Sequence, residues 1–178
     1  MRILATAALA LVAAATPAFA QDEAKPFQGP RAEIIGGWDR IEGDGAGKGG
    51  FVYGGGIGYD LQRGQAVFGV EGEVTGSTVK ERDAGVTVKA GRDLYAGARA
   101  GFVVLPNTLL YVKGGYTNAR VTAETAGVRV GDNLDGFRLG AGVERKFGPV
   151  YGKVEYRYSN YDQDLERHQV VAGIGYRF

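Results

Sequence analysis

The chain of 178 residues has no cysteine, one methionine, one histidine and, as serines, only Ser77 and Ser159. Without cysteine there is no disulfide framework, no thiolate metal site and no thiol nucleophile. The few remaining catalytic residue types are poorly placed. Ser159 and His168 flank a predicted loop with Asp162 and Asp164 between them, but strand parity points Ser159 and His168 to opposite faces, which a catalytic triad cannot use. Asp162-x-Asp164-x-Glu166 has the carboxylate spacing of a calcium loop yet lacks the turn glycine and the distal bidentate Glu. Gly43-x-Gly45-x-Gly47-Lys48-Gly49 departs from phosphate-loop spacing, and no Ser or Thr follows Lys48. No catalytic residue, cofactor or metal site is expected, and the chain reads as a non-enzyme.

An excess of one charge is also missing. Lys and Arg number 21 against 20 Asp and Glu, and the two are equal once Arg2 is set aside. Such a balance gives no electrostatic footprint for nucleic acid. Long apolar runs are confined to the N-terminus, where Arg2 precedes an Ala/Leu/Val-rich stretch and Ala18-Phe19-Ala20 forms a small-x-small site. Residues 1–20 therefore read as a cleaved signal peptide, with Gln21 as the first mature residue. Residues 21–30, with Pro26 and Pro30, read as a periplasmic lead-in, and a strand is expected only after Pro30. Residues 31–178 are long enough for one domain.

Glycine is abundant, at 31 residues, beside ten Tyr and eight Phe. That combination favours sheet over helical bundle. Stretches with period-two alternation fall at residues 31–39, 51–61, 67–77, 93–104, 109–118, 136–147, 150–159 and 168–178, with no apolar stripe of helical period. The connections alternate between long (40–50, 78–92, 119–135, 160–167) and short (62–66, 105–108, and the Gly148-Pro149 pair). Outer-membrane barrels sort their connections in this way, short turns on the periplasmic side and longer loops outside.

Phe137, Leu139, Ala141 and Val143 occupy one face of a strand, and Arg138, Gly140, Gly142, Glu144 and Lys146 the other. Alternation alone cannot say which face meets lipid. Two features favour a membrane barrel over a soluble one. Aromatics gather near strand ends on the apolar face (Trp38, Tyr53, Tyr59, Phe102, Tyr116, Phe147, Tyr158, Tyr176, Phe178), as in interfacial girdles. The polar face mixes glycine with long charged side chains, as a narrow interior requires. Arg145 breaks the parity. Three residues before a turn, it is expected at interface depth, where a cation costs about 0–1 kcal/mol instead of about 2–4 at the midplane.

The runs Gly136-Phe137-Arg138-Leu139-Gly140-Ala141-Gly142-Val143-Glu144, Val154-Glu155-Tyr156-Arg157-Tyr158 and Ala172-Gly173-Ile174-Gly175-Tyr176-Arg177-Phe178 resemble hairpins of the small OmpA-like or porin-like surface proteins. So does Arg99-Ala100-Gly101-Phe102 with Leu109-Leu110-Tyr111-Val112-Lys113-Gly114-Gly115-Tyr116. The resemblance covers most of residues 51–178. It implies an all-β, eight-stranded antiparallel up-and-down transmembrane β-barrel in the cell outer membrane. It also implies an assembly signal at Ile174, Tyr176 and Phe178, read by the β-barrel assembly machinery. The peptidoglycan-binding module of longer members is expected to be absent after Phe178.

A lumen charge network is expected from acids Glu33, Glu71, Glu73, Glu144 and Glu155 and bases Arg99, Lys113, Arg138, Lys146, Lys153, Arg157 and Arg177. Buried charges must pair or be hydrated, and an eight-stranded bore holds little besides side chains, so a salt-bridged plug is favoured over a transport path. A two-residue turn at Gly148-Pro149 sets Glu144 opposite Lys153, and these two are expected to pair. Arg99 is expected to sit between Glu71 and Glu73, given room by Gly54, Gly56 and Gly58. The leading function is a surface protein with a structural, adhesive or surface-interaction role, and the alternative is a narrow porin. A membrane enzyme and a soluble ligand-binding barrel rank behind both. Expected partners are outer-membrane lipid and lipopolysaccharide and an extracellular ligand of the loops, while loop residues such as Lys48, Lys80, Arg82, Lys89 and Arg129 are left open between lipopolysaccharide phosphates, a host surface and no ligand. Nucleic acid is not among them, and the barrel is expected to be monomeric.

Overall fold

A computed structural model describes residues 25–42, 48–78, 80–83, 86–125, 128–161 and 165–178. The signal peptide, Gly43, Gly45, Gly47, Asp162 and Asp164 lie outside them. Among the described residues there are nine strand segments and no helix. They are β1 (Gly29–Glu42), β2 (Lys48–Arg63), β3 (Ala66–Ser77), β4 (Lys80–Asp83), β5 (Val86–Leu105), β6 (Thr108–Thr125), β7 (Val128–Phe147), β8 (Val150–Tyr161) and β9 (Leu165–Arg177). Every pairing is antiparallel, and between neighbours in the chain except for β3 with β5 and for β1 with β9, which closes the sheet. β3 and β4 both pair with β5, one above the other, so the nine segments form the eight staves of a closed barrel.

One end carries the connections Gly64-Gln65, Pro106-Asn107 and Gly148-Pro149, each two residues long. Gly64 and Gly148 adopt left-handed φ of 58° and 68°, a conformation glycine enters without steric cost. Both termini of the barrel lie at this end.

The opposite end departs from the sequence expectation. Most of residues 78–92 and 119–135, expected as loops, are strand: β4 pairs with β5 from Lys80↔Lys89 to Asp83↔Val86, and β6 pairs with β7 up to Thr125↔Val128. β8 ends at Tyr161 opposite Gly136, so residues 128–135 of β7 continue beyond it. A sheet of β4, β5, β6 and β7 thus rises past the barrel. Its sequence, rich in Thr, Ala, Gly and charge, reads as loop because polar strands lack a greasy face. The backbone ladder continues without one, because neighbouring strands supply its hydrogen bonds.

β1 also starts earlier than expected, at Gly29 instead of after Pro30. Proline lacks an N–H but keeps its acceptor, and the Pro30 carbonyl accepts a bond from the Phe178 amide at 3.0 Å.

The faces fall as the alternation indicates. Ile34, Ile57, Val70, Val112, Leu139, Val154 and Ile174 are exposed on the outside, whereas the buried residues inside are largely charged. This inverted pattern is stable when the solvent outside is lipid.

Candidate functional site: a charge-filled lumen

The interior holds eight buried acids among the described residues, Glu33, Asp39, Asp60, Glu71, Glu73, Asp93, Glu144 and Glu155, and eight buried bases, Arg31, Arg99, Lys113, Arg138, Lys153, Arg157, Arg167 and Arg177. Charge of each sign is equal, and every one of these bases has a carboxylate within 3.0 Å or closer. The groups stack in three tiers.

At the turn end, Asp60 accepts from three arginines. Arg99 donates from Nη2 at 2.6 Å and Nε at 2.8 Å, Arg177 from Nη1 at 2.7 Å, and Arg31 from Nε at 3.1 Å. Glu144 bridges Arg99 at 3.0 Å and Arg177 at 2.9 Å. Arg31 leads to the middle tier through Glu71 and through Glu33 at 3.3 Å. There Lys113 touches Glu71 at 2.6 Å, Glu73 at 2.7 Å and Glu155 at 3.2 Å. Lys153 binds Glu33 at 2.5 Å and Glu155 at 3.4 Å, and Arg157 joins Glu73 at 3.0 Å to Glu155. Tyr111 donates to Glu155 at 2.5 Å and Tyr151 to Glu33 at 2.7 Å.

In the upper tier Asp93 accepts from Arg138 at 2.5 Å, Thr117 at 2.6 Å, Tyr161 at 2.7 Å and Arg167 at 2.8 Å. Arg167 also grips Asp39 through Nη2 at 2.5 Å and Nε at 2.7 Å, and Ser77 donates to Asp39 at 2.6 Å. The Tyr95 ring divides the upper tier from the middle one, with Lys113 4.5 Å and Arg138 5.4 Å from its centroid. Ionised groups with this many short, charge-assisted bonds recover in the lumen the solvation lost on leaving water.

Glycines make the room. A β-carbon at Gly69 would lie 2.0 Å from Asp60 Oδ1, one at Gly97 2.2 Å from the Tyr95 hydroxyl, and one at Gly175 2.2 Å from Tyr151 Cζ. Bare positions admit side chains from the adjacent strand, Asp60 at Gly69 and Tyr151 at Gly175, or from the same strand, Tyr95 at Gly97, which is why glycine and charge share this face.

An apolar seal lies below the lowest tier. Phe27 is fully buried in a cluster with Val67, Leu109 and Tyr111. Its amide donates to Gln62 Oε1 at 2.9 Å, its carbonyl accepts from Arg177 at 2.8 Å, and Lys146 reaches the Pro26 carbonyl. Of the segment read from sequence as an irregular lead-in, residues 25–28 are described, and they fold into the turn-end mouth.

Eleven of the twelve residues expected in the lumen are buried there; Lys146 is the exception, half-buried at the mouth. Two expected pairings are absent. Glu144 does stand opposite Lys153 in the register, but Glu144 binds Arg99 and Arg177 while Lys153 turns to Glu33 and Glu155. Arg99 binds Asp60 and Glu144 instead of Glu71 and Glu73. The room at Gly56 and Gly58 is taken by Glu73 and Arg31. Long side chains in a narrow bore reach across it or along it, so the directly opposed residue need not be the partner. Arg31, Asp39, Asp60, Asp93 and Arg167 were missed, although period two carried inward from Glu33, Gly58, Arg99 and Gln169 marks each of them.

The remaining candidates separate. Ser159 is buried and accepts from Arg138 Nε at 2.8 Å, while His168 lies on the outer face with its Nδ1 2.7 Å from the Tyr156 hydroxyl. The wall stands between them. Glu166 accepts from Tyr158 at 2.9 Å, and no cluster of metal-ligating side chains occurs among the described residues. Ile174, Tyr176 and Phe178 line the outer face at the turn end, the last two rings edge to face at 4.9 Å.

Solved structures with this fold include Ail, the attachment invasion locus protein of Yersinia pestis (21% identity, TM-score 0.63, 85% of this chain and 99% of that chain). Neisserial surface protein A shares it as well (15% identity, TM-score 0.66, 84% and 97%). In sequence the chain is similar to the 25 kDa outer-membrane immunogenic protein of Brucella ovis, 32% identical over 129 residues, and to that of Brucella canis, 32% identical over 141 residues. These alignments take in 68% of this chain, which spans 60% and 62% of the two relatives. Residues 6–178 match the outer membrane protein beta-barrel domain. The chain belongs to that family of outer-membrane β-barrel proteins.

Proposed function

We propose that the protein is a non-enzymatic surface protein whose barrel is a closed anchor and whose β4–β7 sheet is presented outside the cell for surface interaction. The observation that supports this reading is the lumen, where the described residues place equal numbers of buried acids and bases, paired in three tiers above an apolar seal. The narrow-porin alternative requires those pairs to open. The two-residue turns support a periplasmic placement of their end and an external one for the long hairpins. Relatives described as immunogenic outer-membrane proteins fit a surface role. On this reading residues 1–20 are removed on export, and Ile174, Tyr176 and Phe178 serve the assembly machinery.

The test is conductance of the purified protein in a planar bilayer. A closed lumen passes no steady current, and a large, steady conductance would put the porin reading first.

A further inference from the structure

Every lumen arginine has a carboxylate partner, but four exposed arginines have none among the described residues: Arg63 and Arg145 at the turn end, and two at the opposite end. The latter two are Arg92 on β5 and Arg120 on β6, and an irregularity in the ladder sets them side by side. The register runs Ala90↔Val121 and then Asp93↔Ala119, so Gly91 and Arg92 together oppose Arg120. Such a bulge re-aims side chains and is a recurrent device beside functional sites. Here it leaves Asp93 buried in the lumen while Arg92 stands outside, and a β-carbon at Gly91 would lie 2.6 Å from the Arg120 carbonyl oxygen.

The surroundings are those of a headgroup layer. One step toward the turn end lie Leu94, Asn118 and Asp135 in register, and below them exposed Tyr116 and Phe137. Asp135 does not neutralise the pair: it accepts from the Asn118 amide at 2.6 Å and from the Tyr116 hydroxyl. On the other side Arg92 pairs in register with Gly76, over which the Tyr53 ring lies, 3.2 Å from a β-carbon built there. Two free guanidinia flanked by two tyrosines, just above an apolar belt, complement a phosphate held at the membrane surface.

We propose that Arg92 and Arg120 form a clamp for the phosphate of an outer-leaflet lipid, the lipopolysaccharide anchor being the source. The inference rests on the external placement of the β4–β7 end but not on what that sheet recognises, nor on the closed lumen. Native mass spectrometry of the full chain in detergent tests it, using bis-phosphorylated lipid A, dephosphorylated lipid A and inorganic phosphate as probes. The expected result is retention of bis-phosphorylated lipid A, loss of retention on dephosphorylation, and binding weakened about tenfold or more in R92Q/R120Q. The R63Q/R145Q protein, which loses two exposed arginines at the turn end, should bind like wild type. Equal binding of both lipids by wild type overturns the clamp, and that comparison needs no variant to fold. Equal weakening by the two double variants reduces the effect to net charge and also overturns it. Displacement of lipid A by millimolar inorganic phosphate would make the site one for free anion and overturn the lipid assignment. A conducting barrel that still discriminates the two lipids would sink the proposed function and leave the clamp standing.

Discussion

Arg157 and Arg145 stand on adjacent strands of one wall. Arg157 points into the lumen, fully buried between Glu73 and Glu155. Arg145 points outward, exposed, with its guanidinium 5.7 Å from the centre of the Phe147 ring. The same side chain thus meets two solvents. Inside, a buried charge is costly unless paired, and among the described residues each buried cation has an anion beside it. Outside, a cation near a strand end extends along its apolar stem into the headgroup layer and needs no protein partner. Removing a charge from the lumen should therefore cost far more stability than removing one from the outer rim.

The largest test of this contrast is Asp60→Ala. It deprives three buried arginines of a shared acceptor, and a loss of about 5 kcal/mol is expected, the upper range for a broken buried ion pair. Unfolding in urea, followed by the electrophoretic shift between folded and unfolded barrel, measures it; a change under 1 kcal/mol would mean the lumen is hydrated. Arg99→Ala should cost less, about 3 kcal/mol, because Arg31 and Arg177 still serve Asp60 and Arg177 still serves Glu144. A double-mutant cycle sharpens the geometry further. Arg99 and Glu144 should couple by about 2 kcal/mol and Lys153 and Glu144 by almost nothing, and equal couplings would restore the pairing read from the hairpin register. The smallest effect belongs to the outer face, where Arg145→Gln should change stability by less than about 1 kcal/mol. A loss as large as that of Arg99 would place Arg145 in the hydrocarbon and erase the distinction between the faces.

Much of this was legible without coordinates. Alternation over residues 136–147 and 150–159 assigned Leu139, Val143, Val154 and Tyr156 to the outside and Arg138, Glu144, Glu155 and Arg157 to the inside, as the structure has them. The two-residue turn at Gly148-Pro149 followed from the same residues. The reading stopped short where polar composition hid strand, so residues 78–92 and 119–135 passed for loops and Asp93 and Arg167, at strand ends, were left out of the lumen. An inner face of five acids and seven bases would have carried a surplus; the buried set has none.

The eight staves, their two faces and the positions at which glycine must stand beside charge follow from the residues alone, because side-chain direction in a strand is a local property with period two. Which charges meet is set by the closed barrel: Asp60 gathers Arg31, Arg99 and Arg177 from β1, β5 and β9. Closure likewise puts Phe27 in the mouth and gives Gly91 and Arg92 one partner on β6. These contacts depend on the tilt and stagger with which the sheet closes on itself, and closure is a property of all the strands together that no single strand encodes.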